Sequence, residues 1–221
     1  MNRAIISQRI SSILSEIERL NSALYAMNTT DIQRYPDNYE VLSTDAALRA
    51  ERITCRLRHL IYSTTSIKKE EYLSSAGTMQ GIEIQDNGGT HEITLPCLLP
   101  KRKQRQNTEF LLDPFYSALE RYSLHHPMPR FQHCVVCFSH VYCQDLPDRR
   151  VRDYDNVELK QFLDVAASFL LVDDTGLLCD AYNTTELGEE DCTRMFIMDS
   201  NCFPSWLEAR QNRLKSISDF R

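Results

Sequence analysis

Ile6, Ile10, Ile13, Ile17, Leu20, Leu24 and Met27 recur at alternating spacings of four and three over three heptads. A stripe of that period runs along one side of an α-helix and needs a partner to bury it. Residues 3 to 27 are therefore expected to form a helix packed on another helix. After a loop carrying Pro36, Asp37 and Asn38, the residues Ala46, Ala50, Ile53, Leu57 and Leu60 repeat the spacing behind a Ser43 or Thr44 cap. The N-terminal part is expected to be an antiparallel helical hairpin. Its seam could close on itself, on a partner protein or on the rest of the chain.

The pattern changes near residue 78. KKEEYLSSAGTMQG reads as a short helix ending near Gly77, and the alternating runs GIEIQ and THEITLP flank the turn DNGG, a strong hairpin signal. After ITLPCLLP come the basic loop KRKQR, a helix around DPFYSALERYSL, and a strand from Phe131 to about Cys143. The loop QDLPDRRVRDYD, a helix from Asn156 to about Leu171, the acidic segment DAYNTTELGEEDC and a last strand near TRMFIM complete the order. Strands mixed with helices point to an α+β protein, with the helical hairpin and short helix over 1–78 and a small mixed sheet with helices over 79–221.

At 221 residues the chain can hold one core plus a smaller helical appendage. Its 42% hydrophobic and 25% charged residues exclude disordered and collagen-like classes. Arg3, Arg9, Glu16, Glu18 and Arg19 interrupt the apolar positions of the N-terminus, and no apolar run of about 18 residues follows, so no membrane association is expected. The eight cysteines sit mostly inside apolar runs and read as buried thiols of a reducing cytoplasm.

The net charge of −6 argues against indiscriminate polyanion binding, but its distribution is uneven. From Ile93 to Arg152 there are nine lysines and arginines against five acids. Lys101, Arg102, Lys103, Arg105, Arg149, Arg150 and Arg152 are the candidates to face phosphate; a solvated loop is the competing reading.

The stretch RVRDYDNVELKQFLDVAASFLLVDDTG holds the candidate chemistry. In an extended segment Asp153 and Asp155 would aim at one point, and Asp174, helped by Asp173, could join them around Mg²⁺ or Mn²⁺. Equally, Asp155 or Asn156 could cap the helix whose apolar face is Leu159, Phe162, Leu163, Ala166 and Leu170. Asp173 and Asp174 would then be a turn, and Lys160 would pair with Asp164. A straight helix from Asn156 to Leu171 spans about 24 Å. Asp174 meets Asp153 only if the chain doubles back or a second subunit supplies one end.

RDYDN, a lysine in the next turn, a further aspartate and the closing DD resemble the core motif of the RusA family of Holliday junction resolvases. The flanks, ITLPCLLPKRK before and a last strand after, are similar too, over roughly residues 92 to 200. The resemblance implies metal ligation by Asp153, Asp155 and Asp174, with Asp173 accessory and Lys160 catalytic, in a homodimer that cuts branched DNA. Lys160 stands one position further from Asp153 than in the family pattern, and the N-terminal hairpin lies outside the family domain. The chain as a whole resembles a family encoded on bacterial mobile elements. The alternative is a catalytically inactive module of that fold binding DNA or, through the hairpin, a protein.

Weaker candidates are CVVC beside His133, His140 and Cys143 as a zinc site, and Glu158-x-Lys160 as the ExK of another nuclease class. Cys134 and Cys137 should point to opposite faces of a strand. No GxSxG, P-loop or dinucleotide fingerprint occurs.

Overall fold

A computed structural model describes residues 3–102, 108–128, 130–145 and 151–218. The chain divides into two compact units, Met1–Tyr72 and Leu73–Arg221.

In the first unit, α1 (Arg3–Thr29) and α2 (Pro36–Thr64) run antiparallel, as the pairs Arg56–Ser12 at 3.0 Å and Arg49–Glu16 at 3.4 Å show. The expected loop around Pro36 is instead the first turn of α2. Pro36 occupies a position where its missing N–H costs nothing, and Ser43 and Thr44 lie inside the helix rather than capping it. The apolar stripe of α1 is only half covered. Ile13 is buried together with Glu16 and Ala23, whereas Ile10, Ile17 and Leu24 stay 41%, 43% and 48% exposed. α2 meets α1 to one side of the heptad seam because the Glu16–Arg49 pair, flanked by Arg49–Asp45 at 2.7 Å, occupies the contact.

α3 (Lys69–Gln80), of which the residues from Leu73 on belong to the second unit, runs past Gly77 and ends at Gly81, whose φ of +81° lets Ile82 N–H reach back to the Gly77 carbonyl at 3.0 Å. Gly77 serves close packing instead: a Cβ there would lie 3.1 Å from the Pro114 carbonyl oxygen. β1 (Glu83–Asp86) and β2 (Thr90–Leu95) form the expected hairpin, with Asp86 opposite His91.

α4 (Glu109–His125), β3 (Cys134–Cys143), α5 (Lys160–Leu170), β4 (Cys179–Gly188), β5 (Cys192–Asp199) and α6 (Phe203–Ser218) follow. The sheet order is β1-β2-β5-β3-β4, antiparallel except for the β3–β4 pair, so the fold is mixed α+β. β3 is buried on both faces. Cys134, Val136 and Phe138 face a core with Phe115 of α4 and Phe162, Ala166 and Leu170 of α5, while Val135 and Cys137 face Phe203 and Trp206 of α6. The two cysteines of CVVC thus point to opposite faces. Burial pushes the Cys137 thiol pKa up to about 12, so it is an inert thiol.

Candidate functional site

The segment between β3 and α5 is held by hydrogen bonds of Arg152 and by backbone contacts with the stretch after β2. Arg152 N–H donates to Tyr142 Oη at 3.0 Å, and its guanidinium donates to the Leu99 carbonyl at 2.8 Å. Arg152 is therefore partly spent on structure. Lys101 bridges to Val157, and Glu158 N–H donates to the Pro100 carbonyl at 2.9 Å, tying the chain to the stretch after β2. Lys101 and Arg102 are exposed; Lys103, Arg105, Arg149 and Arg150 lie outside the described residues.

Tyr154–Asn156 form a single 3₁₀ turn, with Asn156 N–H bonded to the Asp153 carbonyl at 3.0 Å. The two-residue alternation of a strand does not apply here. Asp153 precedes the turn with extended backbone and Asp155 lies inside it, so the two carboxylates do not share the face that a strand would give them. Tyr154 anchors the turn: its ring stacks on His140 at 5.6 Å and its hydroxyl shares a 3.0 Å hydrogen bond with Thr185.

α5 begins at Lys160 rather than Asn156, because Val157 is committed to its bridge with Lys101. Neither Asp155 nor Asn156 caps it. Leu159 stands at the N-cap position without a side-chain cap, and Glu158 Oε1 just before it accepts the Gln161 N–H at 3.4 Å. Asp153, Asp155 and Asp174 are exposed and accept no hydrogen bond from any described residue. Asp173 does have a local task, accepting Thr175 N–H at 3.2 Å in the turn before β4.

The two carboxylate pairs lie at opposite ends of β3. Leu171 bridges Phe131 and Cys179 pairs with Cys134, which puts Asp173 and Asp174 beside the start of the strand. Tyr154 contacts His140 and Arg152 contacts Tyr142, which puts Asp153 and Asp155 near its finish. The six residues from Cys134 to His140 correspond to about 20 Å of strand. Among the described residues, no three His, Cys, Asp or Glu side chains form a metal-sized group.

Lys160 stands between the two pairs. Its ammonium donates to Asp164 at 2.9 Å, and that contact, with smaller contributions from Asp174 and Glu158, raises its pKa. It also lines a cavity of about 290 Å³ with Arg102, Tyr154, Asp155 and Glu158. Two cations and two carboxylates therefore face one opening. Glu158 is 1% exposed and His140 is 2% exposed. Burial lowers the His140 pKa, the nearby Asn183 amide opposes and the Arg152 charge lowers it further.

Glu158, Tyr154 and His140 as partners of this site were not evident from the sequence. Glu158 lies between the Val157 bridge and the start of α5, outside any helix or strand, a position that the helical periodicity of the following residues concealed. Among the described residues, no helix is long and apolar enough to cross a membrane.

A protein-family model, described as a family of unknown function (DUF6100), matches residues 2–221. Neither the curated proteins nor the solved structures contain a match to the chain.

Proposed function

The chain belongs to that family of unknown function, and from this starting point we propose that it is a divalent-metal-dependent endodeoxyribonuclease acting on branched DNA as a homodimer. The observation that carries the reading is the set of three exposed carboxylates without hydrogen-bond donors, Asp153, Asp155 and Asp174, arranged on either side of Lys160. Exposed carboxylate oxygens that serve no cap or turn are the hard donors that Mg²⁺ or Mn²⁺ takes. Asp153 and Asp155 would hold the ion, with Asp174 and Asp173 contributed by a second subunit. A bound ion of this kind supplies activation of water and neutralisation of charge on the scissile phosphodiester.

The chain's own residues would do the rest. Lys160 and Arg102 share the cavity with Asp155 and would meet phosphate oxygens, and Tyr154 would hold the turn against β3 and β4. Self-association has support in α1, where Ile10, Leu14, Ile17 and Leu24 form an exposed apolar stripe. A two-fold pair would present two sites to opposed strands of a four-way junction.

The placement of the two carboxylate pairs beside opposite ends of β3 favours one competing reading. In it the chain keeps the fold as a binding module without turnover. A synthetic four-way junction and a matched linear duplex, each with and without manganese, separate the two. The parent is expected to cut the junction, and Asp153→Asn to bind it without cutting. Ligation by the folded state must also raise the melting temperature, by about 2.7 kcal/mol of stability at a hundredfold excess over Kd. A parent with neither cleavage nor a metal-induced shift is the binding module.

A further inference from the structure

Where α1 begins and α2 ends, the helical hairpin forms an open cavity of about 370 Å³ whose polar lining side chains are exposed. Arg9 and Ser12 of α1 form one wall, and Arg56, His59 and Ser63 of α2 form the other. Hydrogen bonds cross it in a reciprocal pattern: Arg56 Nη1 donates to Ser12 Oγ at 3.0 Å, and Arg9 Nη1 donates to Ser63 Oγ at 3.4 Å. No acidic side chain lines the space, and neither arginine is ion-paired with a described residue.

The other arginines of the same hairpin differ. Arg19 pairs with Glu16 at 3.6 Å, and Arg49 pairs with Glu16 and Asp45 at 3.4 and 2.7 Å. Carboxylates are thus available on both helices, but none is placed at this end. Both guanidinium groups are exposed, so water screens their mutual repulsion, and the neutral serine oxygens leave their charge without a counter-ion among the described residues. A charged acceptor would satisfy both, since guanidinium-to-oxyanion hydrogen bonds are about twice as strong as neutral ones and the planar fork matches phosphate geometry. His59 adds a third nitrogen donor at the rim.

We propose that this cavity is a phosphate-binding site in which Arg9 and Arg56 clamp the anion from opposite helices while Ser12 and Ser63 turn their hydroxyls onto it. The volume accommodates a phosphate with an attached group rather than a bare ion. The site stands without the endonuclease reading, which bears only on whether the phosphate belongs to a DNA backbone or to a free phosphorylated compound.

The test uses the full chain and inorganic pyrophosphate at constant ionic strength, with chloride as reference and binding followed by calorimetry. The parent binds, Arg9→Gln/Arg56→Gln loses at least tenfold in affinity, and Arg19→Gln keeps it. Helicity and melting temperature without pyrophosphate verify that each variant folds. Ser12→Ala/Ser63→Ala, which keeps both charges, gives a smaller loss and serves if the arginine variant does not fold. Failure of the parent to bind, or equal affinity in parent and arginine variant, overturns the proposal. Duplex DNA then identifies the source. For a backbone phosphate, the arginine variant flattens the log–log salt dependence of duplex binding by about 2. For a free phosphorylated compound, duplex binding is unchanged while pyrophosphate affinity still falls. Loss of junction cleavage with pyrophosphate binding intact would count against the endonuclease alone.

Discussion

Replacing Tyr154 tests whether the turn carrying Asp153 and Asp155 is positioned by β3 and β4. The anchor has two parts, a 3.0 Å hydrogen bond to Thr185 and a stack on the His140 ring at 5.6 Å. Tyr154 is 39% exposed, so the hydrogen bond belongs at the low end of the usual range, about 0.5 kcal/mol. The ring pair adds about 1 kcal/mol. Tyr154→Phe should therefore open the turn about twofold more often, and Tyr154→Ala, losing both, about tenfold. The readout is exchange of the Asn156 and Val157 amide hydrogens, which donate to the Asp153 and Tyr154 carbonyls at 3.0 and 3.2 Å. The Glu158 amide, bonded to Pro100, should stay protected and serves as the internal control. Parent-like exchange at Asn156 and Val157 in Tyr154→Ala would refute the anchor. Equal effects of Phe and Ala would refute the assigned share of the stack.

Arg210 is buried and donates to Glu186 at 2.9 Å and to the Thr185 carbonyl at 3.3 Å, while Ser139 donates to the same Glu186 oxygen at 2.9 Å. Arg210→Met leaves the carboxylate short of its cation and should cost about 3 kcal/mol, discounted because Glu186 is 22% exposed. In a unit of this size that lowers the melting temperature by roughly 6–12 °C; Arg210→Met with Glu186→Leu should recover part of the loss, and no difference between single and double variants would refute the coupling. Burial lowers the pKa of both His91 and His140 below the ordinary 6.5, with Asp86 opposing at His91. The unfolded chain therefore takes up protons at a pH where the folded one does not. Stability should fall as pH drops below about 6.5, until the folded values are reached. Urea midpoints between pH 7.5 and 5 check the slope, and ring-proton titration of either histidine above 6.5 would contradict it.

Periodicity carried the local elements well wherever burial and spacing coincide. α5 buries Phe162, Ala166 and Leu170, the face its spacing called for, and the DNGG turn joins β1 to β2. β4 was hidden because it lies at the sheet edge and mixes Asp180, Asn183 and Glu186 with few apolar residues; its partner is the parallel β3, far away in sequence. α6 was hidden similarly, as a helix whose contribution to the core reduces to Phe203 and Trp206. Gly77 and Pro36 were misread as punctuation, since a close approach and a helix first turn use the same residues as loops do.

The amino-acid order alone determined the helical hairpin, the β1–β2 turn, the strand of CVVCFSHVYC and the amphipathic face of α5, and it singled out the acidic residues on either side of that helix. These follow from side-chain periodicity, which is a property of a few consecutive residues. Where those acids stand was decided only by tertiary structure. The bridge from Lys101 to Val157 delays the start of the helix until Lys160, and the parallel pairing of β3 with β4 sets Asp174 beside the opposite end of β3 from Asp155. Both depend on backbone hydrogen bonds between residues far apart in the chain, and no short-range pattern encodes those distances.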